Sequence, residues 1–522
     1  MAAWPGLRLR RVIQTGALLT AAHWLVACTS VGPDFQTPQQ PLPEGWQSPS
    51  LQALPRSDPA DAVPANTAPW WTRFNDPALA SLVDEALRQN TSVRIAGLRI
   101  LEAQAQLGIA GSLLYPQLQQ LSGNALALHS SDETSGQSNT VQGGQFNAGF
   151  TLGWELDFWG KFRRAIEAAD AGYFASLAQY DDIQVLMAAQ VADLYVNVRE
   201  LEARLQIAHD NAAIQKRSYE ITERLFKSGN ESELDVQQAK TQYLSTLASI
   251  PGLEGSLRQT QNVLAALLGR PPGPLPEMAT HTGEIPDIGT RFPAAVPADV
   301  LIRRPDVRVA EMQLAAQSAL IGVAEADKYP SLSLLGAFNL SVLSVSGSPT
   351  TSSLALGPGL TWNIFDYGRV ENAVRVQDAR YQQLVERYRD TVLQAARDVD
   401  NSAISLLKNR EQLVINEEVT VAAQRALDIA TLQYREGFTD FSRVLEAQRS
   451  YFSQNERVVG NRSNMVLSLI ALYKALGGGW EPGRQRPPVD EATRQQMQAV
   501  TDWGGMLDRT LPSPDILSPA HE

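Results

Sequence analysis

The sequence predicts an α+β membrane protein in which a duplicated unit supplies two strand hairpins and two long helical hairpins, with several copies closing one barrel. Three observations carry this reading. A segment recurs at a fixed offset, four stretches alternate with period two over about a bilayer's thickness, and proline-free helical runs exceed what a compact domain needs. Of 522 residues, 44% are hydrophobic and 19% charged, which excludes wholesale disorder. A formal net charge of −12 argues against a nucleic-acid partner held by a basic surface.

Residues 1–27 read as a signal peptide. Arg8, Arg10 and Arg11 form a charged start, and Val12 to Ala27 is a short, mostly apolar run, too short for a spanning helix. The run ends Leu25-Val26-Ala27-Cys28, and Cys28 is the only cysteine, so no disulfide framework or cysteine zinc site exists. The ending resembles a bacterial lipoprotein signal, in which the cysteine becomes the lipidated first residue of the mature chain. In enteric bacteria an Asp at the second mature position retains such proteins in the inner membrane. Thr29 and Ser30 follow Cys28, so the outer membrane is expected. Residues 28–76 form a Pro- and Ala-rich segment expected to wrap the surface without regular structure.

The duplication comprises residues 77–269 and 298–477. Trp154-Glu155-Leu156-Asp157-Phe158-Trp159-Gly160-Lys161 matches Trp362-Asn363-Ile364-Phe365-Asp366-Tyr367-Gly368-Arg369 at an offset of 208. Phe226-Lys227-Ser228-Gly229 matches Tyr434-Arg435-Glu436-Gly437, and Leu268-Gly269 matches Leu476-Gly477, at the same offset. Upstream, Val93-Arg94-Ile95-Ala96 and Tyr115-Pro116 recur as Val307-Arg308-Val309-Ala310 and Tyr329-Pro330 at 214. The first copy therefore holds six more residues between Pro116 and Trp154, in a segment that tolerates length change.

Within each copy, residues 77–113 and 298–327 read as helices ending before a Tyr-Pro pair. Residues 146–157, 332–340 and 354–365 alternate as strands, and 117–128 do so from Gly123 onward. Pro358 is unfavourable there, because it cannot donate to a ladder. Polar loops are expected at 129–144 and 341–353. From 161 to 250 there is no proline, and Ile183, Met187, Val191, Leu194, Val198, Leu201, Leu205, Ala208 and Ala212 form a coiled-coil stripe. Tyr388, Val392, Ala395, Val399 and Leu406 form a poorer one, interrupted by Ser402 and Asn409. One helix over 161–228 would run roughly 100 Å. Gly229 and Gly437 mark reversals into 232–268 and 440–476. The tail 478–522 is Pro-rich with mixed charge.

Four strands of about ten residues cross a bilayer when tilted, but open edges are forbidden in lipid. The smallest bacterial barrels have about eight strands. Two, three or four chains must therefore share a barrel.

The duplication and paired hairpins resemble the outer membrane factors, the TolC-like channels of tripartite efflux systems. Cys28 to Asp34, Trp70 to Pro77, Arg303-Arg304-Pro305-Asp306-Val307 and Asn363 to Gly368 resemble the lipoprotein, NodT-type branch. The resemblance implies a homotrimer with a shared twelve-strand barrel in the outer membrane and a long helical tunnel in the periplasm. It also implies a periplasmic adaptor, an inner-membrane pump and export of small toxic compounds. Family channels close their tips with acidic rings a few residues past the reversal glycine. The matching positions are Arg443 and Glu446 after Gly437, and Asp235 and Gln238 after Gly229. Arg443 departs from the acid often found there and points to an Arg–Glu network.

No enzyme is read. The five histidines and seven methionines are scattered, and no nucleophile elbow, P-loop or dinucleotide fingerprint occurs. No cofactor is expected beyond a covalent lipid on Cys28. A type I protein-secretion channel would show the same helical hairpins. A non-channel coiled-coil envelope lipoprotein would have no use for lipid-length strands.

Overall fold

A computed structural model describes residues 30–38, 69–134, 137–287, 298–343, 350–481 and 486–512; residues 1–27, expected as a signal peptide, and Cys28 lie outside them. The helices repeat with the duplication. α3 (Lys161–Lys227) and α6 (Arg369–Arg435) each hold 67 residues, and α4 (Glu233–Leu267) and α7 (Phe441–Ala475) each hold 35, both pairs 208 residues apart. α2 (Thr91–Ser112) and α5 (Pro305–Ala326) each hold 22 residues, 214 apart. A further helix, α1 (Pro77–Gln89), precedes α2, and α8 (Glu491–Val500) follows α7. Among the described residues no helix is long and apolar enough to cross a membrane.

Two of the expected helices are subdivided. The run 77–113 breaks at Asn90, whose extended backbone ends α1 while its side-chain oxygen accepts from Ser92 N and Val93 N to open α2. The run 298–327 opens with a 3-10 turn, Ala298–Arg303, and α5 starts at Pro305, where the missing N–H costs no helical bond.

The chain forms two compact units, with the division falling inside α2, α3, α5 and α6. The first contains a four-stranded antiparallel sheet in the order β1 (Leu118–Thr134), β2 (Gln137–Leu156), β3 (Ser331–Leu343), β4 (Thr351–Thr361). The polar loop expected at 129–144 is instead mostly strand. Its Ser, Thr, Asn and Gln residues pair through backbone, from His129↔Gln142 to Thr134↔Gln137, without the hydrophobic alternation that a buried face imposes. Pro358 sits opposite Leu334 in β4, an edge strand of the chain, where a missing donor is tolerated. The expected strand 354–365 ends at Thr361.

The ladders also locate the six extra residues. Leu118↔Gly153 corresponds to Ser331↔Thr361, so β1 and β3 are offset by 213 while β2 and β4 are offset by 208. One extra residue lies between Pro116 and β1, and five lie in the hairpin. A repeated pin joins helix to sheet: Trp154 Nε1 donates to Leu114 O at 3.1 Å, and Trp362 Nε1 donates to Lys328 O at 3.0 Å.

The second unit is held by buried aromatics and a buried cation. Trp70 and Trp71 are each 1% exposed, and Trp70 stacks on Tyr473 at 5.4 Å. Of the α3 stripe, Met187, Val191, Val198, Ala208 and Ala212 are buried. Mid-helix, α3 buries other faces as well, including Ala188, Ala192, Tyr195 and Arg199. Arg199 is fully enclosed and donates to Glu202, Met278 O and Thr280 O, so its charge is compensated. In α6, Ser402 is buried in the stripe it interrupts and donates back to Asp398 O, while Asn409 reaches Ser468 and Asn464 O.

Candidate functional site

In the first unit the sheet has two unlike faces. The rungs Leu121–Phe150–Phe338–Leu354 and Ala125–Phe146–Val342 share one face with Leu152, Trp154, Leu332, Leu334, Leu356 and Leu360. That face is apolar yet exposed, with Leu121 at 81% and Leu354 at 79%. A broad apolar surface open on a single chain marks contact with lipid or protein. The opposite face carries Asn124, Asn147, Thr151, Ser333, Ser341 and several glycines. Asn147 donates to Asn124 at 2.8 Å and accepts from Ser341 at 2.7 Å, a polar ladder suited to a wet lumen. Among the described residues β1 and β4 each lack a partner on one side.

In the second unit the long helices α3 and α6 stop just before Gly229 and Gly437. Both adopt left-handed φ, 79° and 76°. Gly229 N donates to Phe226 O and Asn230 N to Leu225 O; Gly437 N donates to Tyr434 O and Phe438 N to Gln433 O. Each is a Schellman stop, which glycine enters without a Cβ clash. Beyond the first stop, Ser232 caps α4 by accepting from Asp235 N and donates its hydroxyl to the Asp235 carboxylate. Asp235 is thus engaged in its own helix cap, and Gln238 is half-buried. Beyond the second stop, Arg443 and Glu446 are exposed on one face of α7, while Val444 and Leu445 enter a core with Leu427, Phe441 and Ala239. Among the described residues the Arg443 and Glu446 side chains form no ion pair within the chain.

Two features escaped the sequence reading. The first joins the hairpins near their tips. Tyr434 OH donates to Glu231 Oε1 at 2.5 Å, Arg449 Nε to Gln242 Oε1 at 2.6 Å and Gln448 Nε2 to Ser218 Oγ at 3.1 Å. Burial, then the Glu231 carboxylate, push the Tyr434 phenol upward, so it remains a donor. The only available signal was Tyr434 standing where the first copy has Phe226. The second feature is a seat for the chain just after Cys28. Val31 N donates to Trp159 O at 3.0 Å. Arg164, with its side chain 5% exposed, donates to Val31 O, Gly32 O and Asp34. A Cβ on Gly322 would lie 2.7 Å from Val31 O. The expected irregular wrapping is therefore specific over 30–38; residues 39–68 are outside the described set. Among the described residues no group of three or more His, Cys, Asp or Glu could hold a metal ion.

Residues 82–270 and 296–478 match the family described as outer membrane efflux protein. The chain is 30% identical over 465 residues to the probable outer membrane lipoprotein SilC of Salmonella typhimurium, covering 87% of this chain and 96% of the relative. It is equally similar to the cation efflux system protein CusC of Escherichia coli (strain K12), at 30% over 465 residues, 87% of this chain and 97% of the relative. Among solved structures, the outer-membrane channel OprN aligns with a TM-score of 0.78 and 30% identity, over 87% of this chain and all of that one.

Proposed function

The chain belongs to the outer membrane efflux protein family, and from that premise we propose that three copies assemble as the outer membrane channel of a tripartite efflux system. The observation that carries this is the sheet, with an exposed apolar face, a hydrogen-bonded polar face and two unpaired edges. In lipid such edges must be paired. Three copies of a four-stranded sheet give twelve strands, enough to close. Cys28 carries the lipid anchor. One acyl chain binds only marginally, and the barrel supplies the remaining hold. The helical hairpins extend the conduit into the periplasm, where their tips meet an adaptor that joins the channel to an inner-membrane pump. The cargo is small toxic compounds selected largely by that pump, and no catalytic role is assigned.

At the tips, threefold symmetry brings Glu446 and Arg443 of each copy around the axis. A carboxylate ring repels itself and attracts cations, and Arg443 offsets the repulsion by pairing across subunits. Asp235 and Gln238 line the matching level of the first hairpin. Opening requires an adaptor that binds the open state better.

Native mass spectrometry in detergent should report a trimer; only monomer alongside a closed pore would defeat the assembly. In planar bilayers Glu446→Ala and Arg443→Ala should each raise single-channel conductance, and the first should also lower cation preference. No change in either variant would place both residues on a solvated outer face.

A further inference from the structure

We propose that β4 of one copy pairs with β1 of the next in one defined register, Thr361 opposite Ser122 of the partner subunit, and that Tyr367 stacks on Tyr115 of the partner subunit. The proposal rests on the shared-barrel reading and adds the geometry of its seams.

The junction between the first and second copies is visible within one chain. There β2 meets β3 as Gly153↔Leu335, Trp154↔Leu334 and Leu156↔Leu332. Just beyond, Trp159 stacks on Tyr329 at 4.6 Å and 23°, and its Nε1 donates to Pro330 O at 2.8 Å. Because the copies repeat, a closed ring must meet the same junction again where the second copy of one chain reaches the first copy of the next. Displacing β2 by its 208-residue offset and β3 by its 213-residue offset turns these rungs into Thr361 opposite Ser122, Trp362 opposite Leu121, and Ile364 opposite Gln119. Displacing Trp159 by 208 and Tyr329 by 214 turns the stack into Tyr367 on Tyr115.

Two observations support the transfer. These residues stand open in the single chain, with Tyr367 at 101%, Leu121 at 81%, Tyr115 at 70% and Trp362 at 52% exposure. The register also preserves both faces: Trp362 and Leu121 lie on the apolar side, Thr361 and Ser122 on the polar side. A slip of one residue would set Trp362 against Gln120 or Ser122, across faces. The backbone differs at one point: Tyr367 holds a left-handed φ of 54° just before Gly368, with Asp366 accepting from Gly368 N and Val370 N, whereas its counterpart Trp159 does not. Two contacts do not transfer: Tyr367 has no indole N–H to replace the Trp159–Pro330 bond, and an ion pair is lost. The Lys161–Asp327 ion pair at 2.8 Å has Arg369 and Leu113 in the matching places, so the seam between copies lacks it.

The test is cysteine pairing in the full-length protein. Directly opposed strand residues have Cβ atoms about 4.5–5.5 Å apart and diagonal ones about 7–8 Å, whereas a disulfide needs about 3.8 Å. Under mild oxidation, Thr361→Cys with Ser122→Cys should give crosslinked dimer and trimer, with each single substitution as the control for Cys28. Pairing Thr361→Cys with Gln120→Cys or Asn124→Cys should be on the order of tenfold slower, following that added separation. Fastest crosslinking at a shifted pair, with the trimer intact by native mass spectrometry, overturns the register. A wild-type protein without oligomers overturns the shared barrel itself. For the stack, Tyr367→Ala and Tyr115→Ala should each lower the temperature at which the trimer dissociates in SDS, and the double variant should fall no further than the worse single one. Additive losses would overturn the stack.

Discussion

Replacing Tyr434 by Phe removes one hydroxyl and keeps the ring against Phe441, 5.2 Å away. The lost bond links the last turn of α6 to Glu231, in the turn between α3 and α4, so it ties one hairpin to the other. Hydrogen bonds to charged groups contribute about 1.5–3 kcal/mol when well buried. Tyr434 is half-buried, and solvent competition reduces this to about 1 kcal/mol. If opening separates the two hairpins at this point, only the closed state loses stability. The open-to-closed ratio should then rise about fivefold per subunit, the factor that 1 kcal/mol represents at room temperature. Single-channel recordings in planar bilayers would show this as more frequent or larger openings. Glu231→Ala should also raise opening, and the double variant should open less than the two single effects combined predict, because both substitutions remove the Tyr434–Glu231 bond. An intact trimer whose Tyr434→Phe variant opens no more often than wild type would refute the idea that the hairpins part at this bond.

Mass spectrometry of the mature N-terminus should find Cys28 acylated, and Cys28→Ser should still insert; an unmodified Cys28 in the wild type would remove the anchor. Arg164→Met should free the strap after Cys28, raising amide exchange at Val31 and costing about 2 kcal/mol of stability, since an enclosed guanidinium with several partners is lost. Unchanged exchange there would show that the seat does not depend on Arg164. Burial raises the Asp193 carboxyl to about 6, with Lys474 opposing. Its folded value lies above its unfolded one, so its contribution is fully present below about pH 4 and is lost as pH rises through 6. Asp193→Asn should therefore raise the melting temperature relative to wild type at pH 8 but not at pH 4. A difference independent of pH would refute that sign.

The duplication, the lengths of the long helices and the two reversal glycines were legible because each rests on local chemistry. Helices of 67 and 35 residues recur at an offset visible in Trp154, Gly229 and Leu268 and their counterparts. Glycine at a Schellman stop is a local requirement, whatever packs around it. The need for partner copies also followed from sequence, since four strands cannot satisfy their edges in lipid. The polar extension of the first hairpin was not legible. The backbone ladder runs there from His129↔Gln142 to Thr134↔Gln137 through a sequence with no apolar period to read. Nor was the break at Asn90, where a side-chain cap interrupts a run of good helix formers. The enclosed Arg199, the seat around Arg164 and the Tyr434–Glu231 bond join residues 81, 133 and 203 positions apart. Sequence by itself determined periods and stops, because those depend on neighbours two to four residues away, and copy number, because the matching segments recur at a fixed offset. Only the tertiary structure decided which polar groups meet, since a buried charge or hydroxyl is stabilised by whatever partner the packing of distant segments brings within 3 Å.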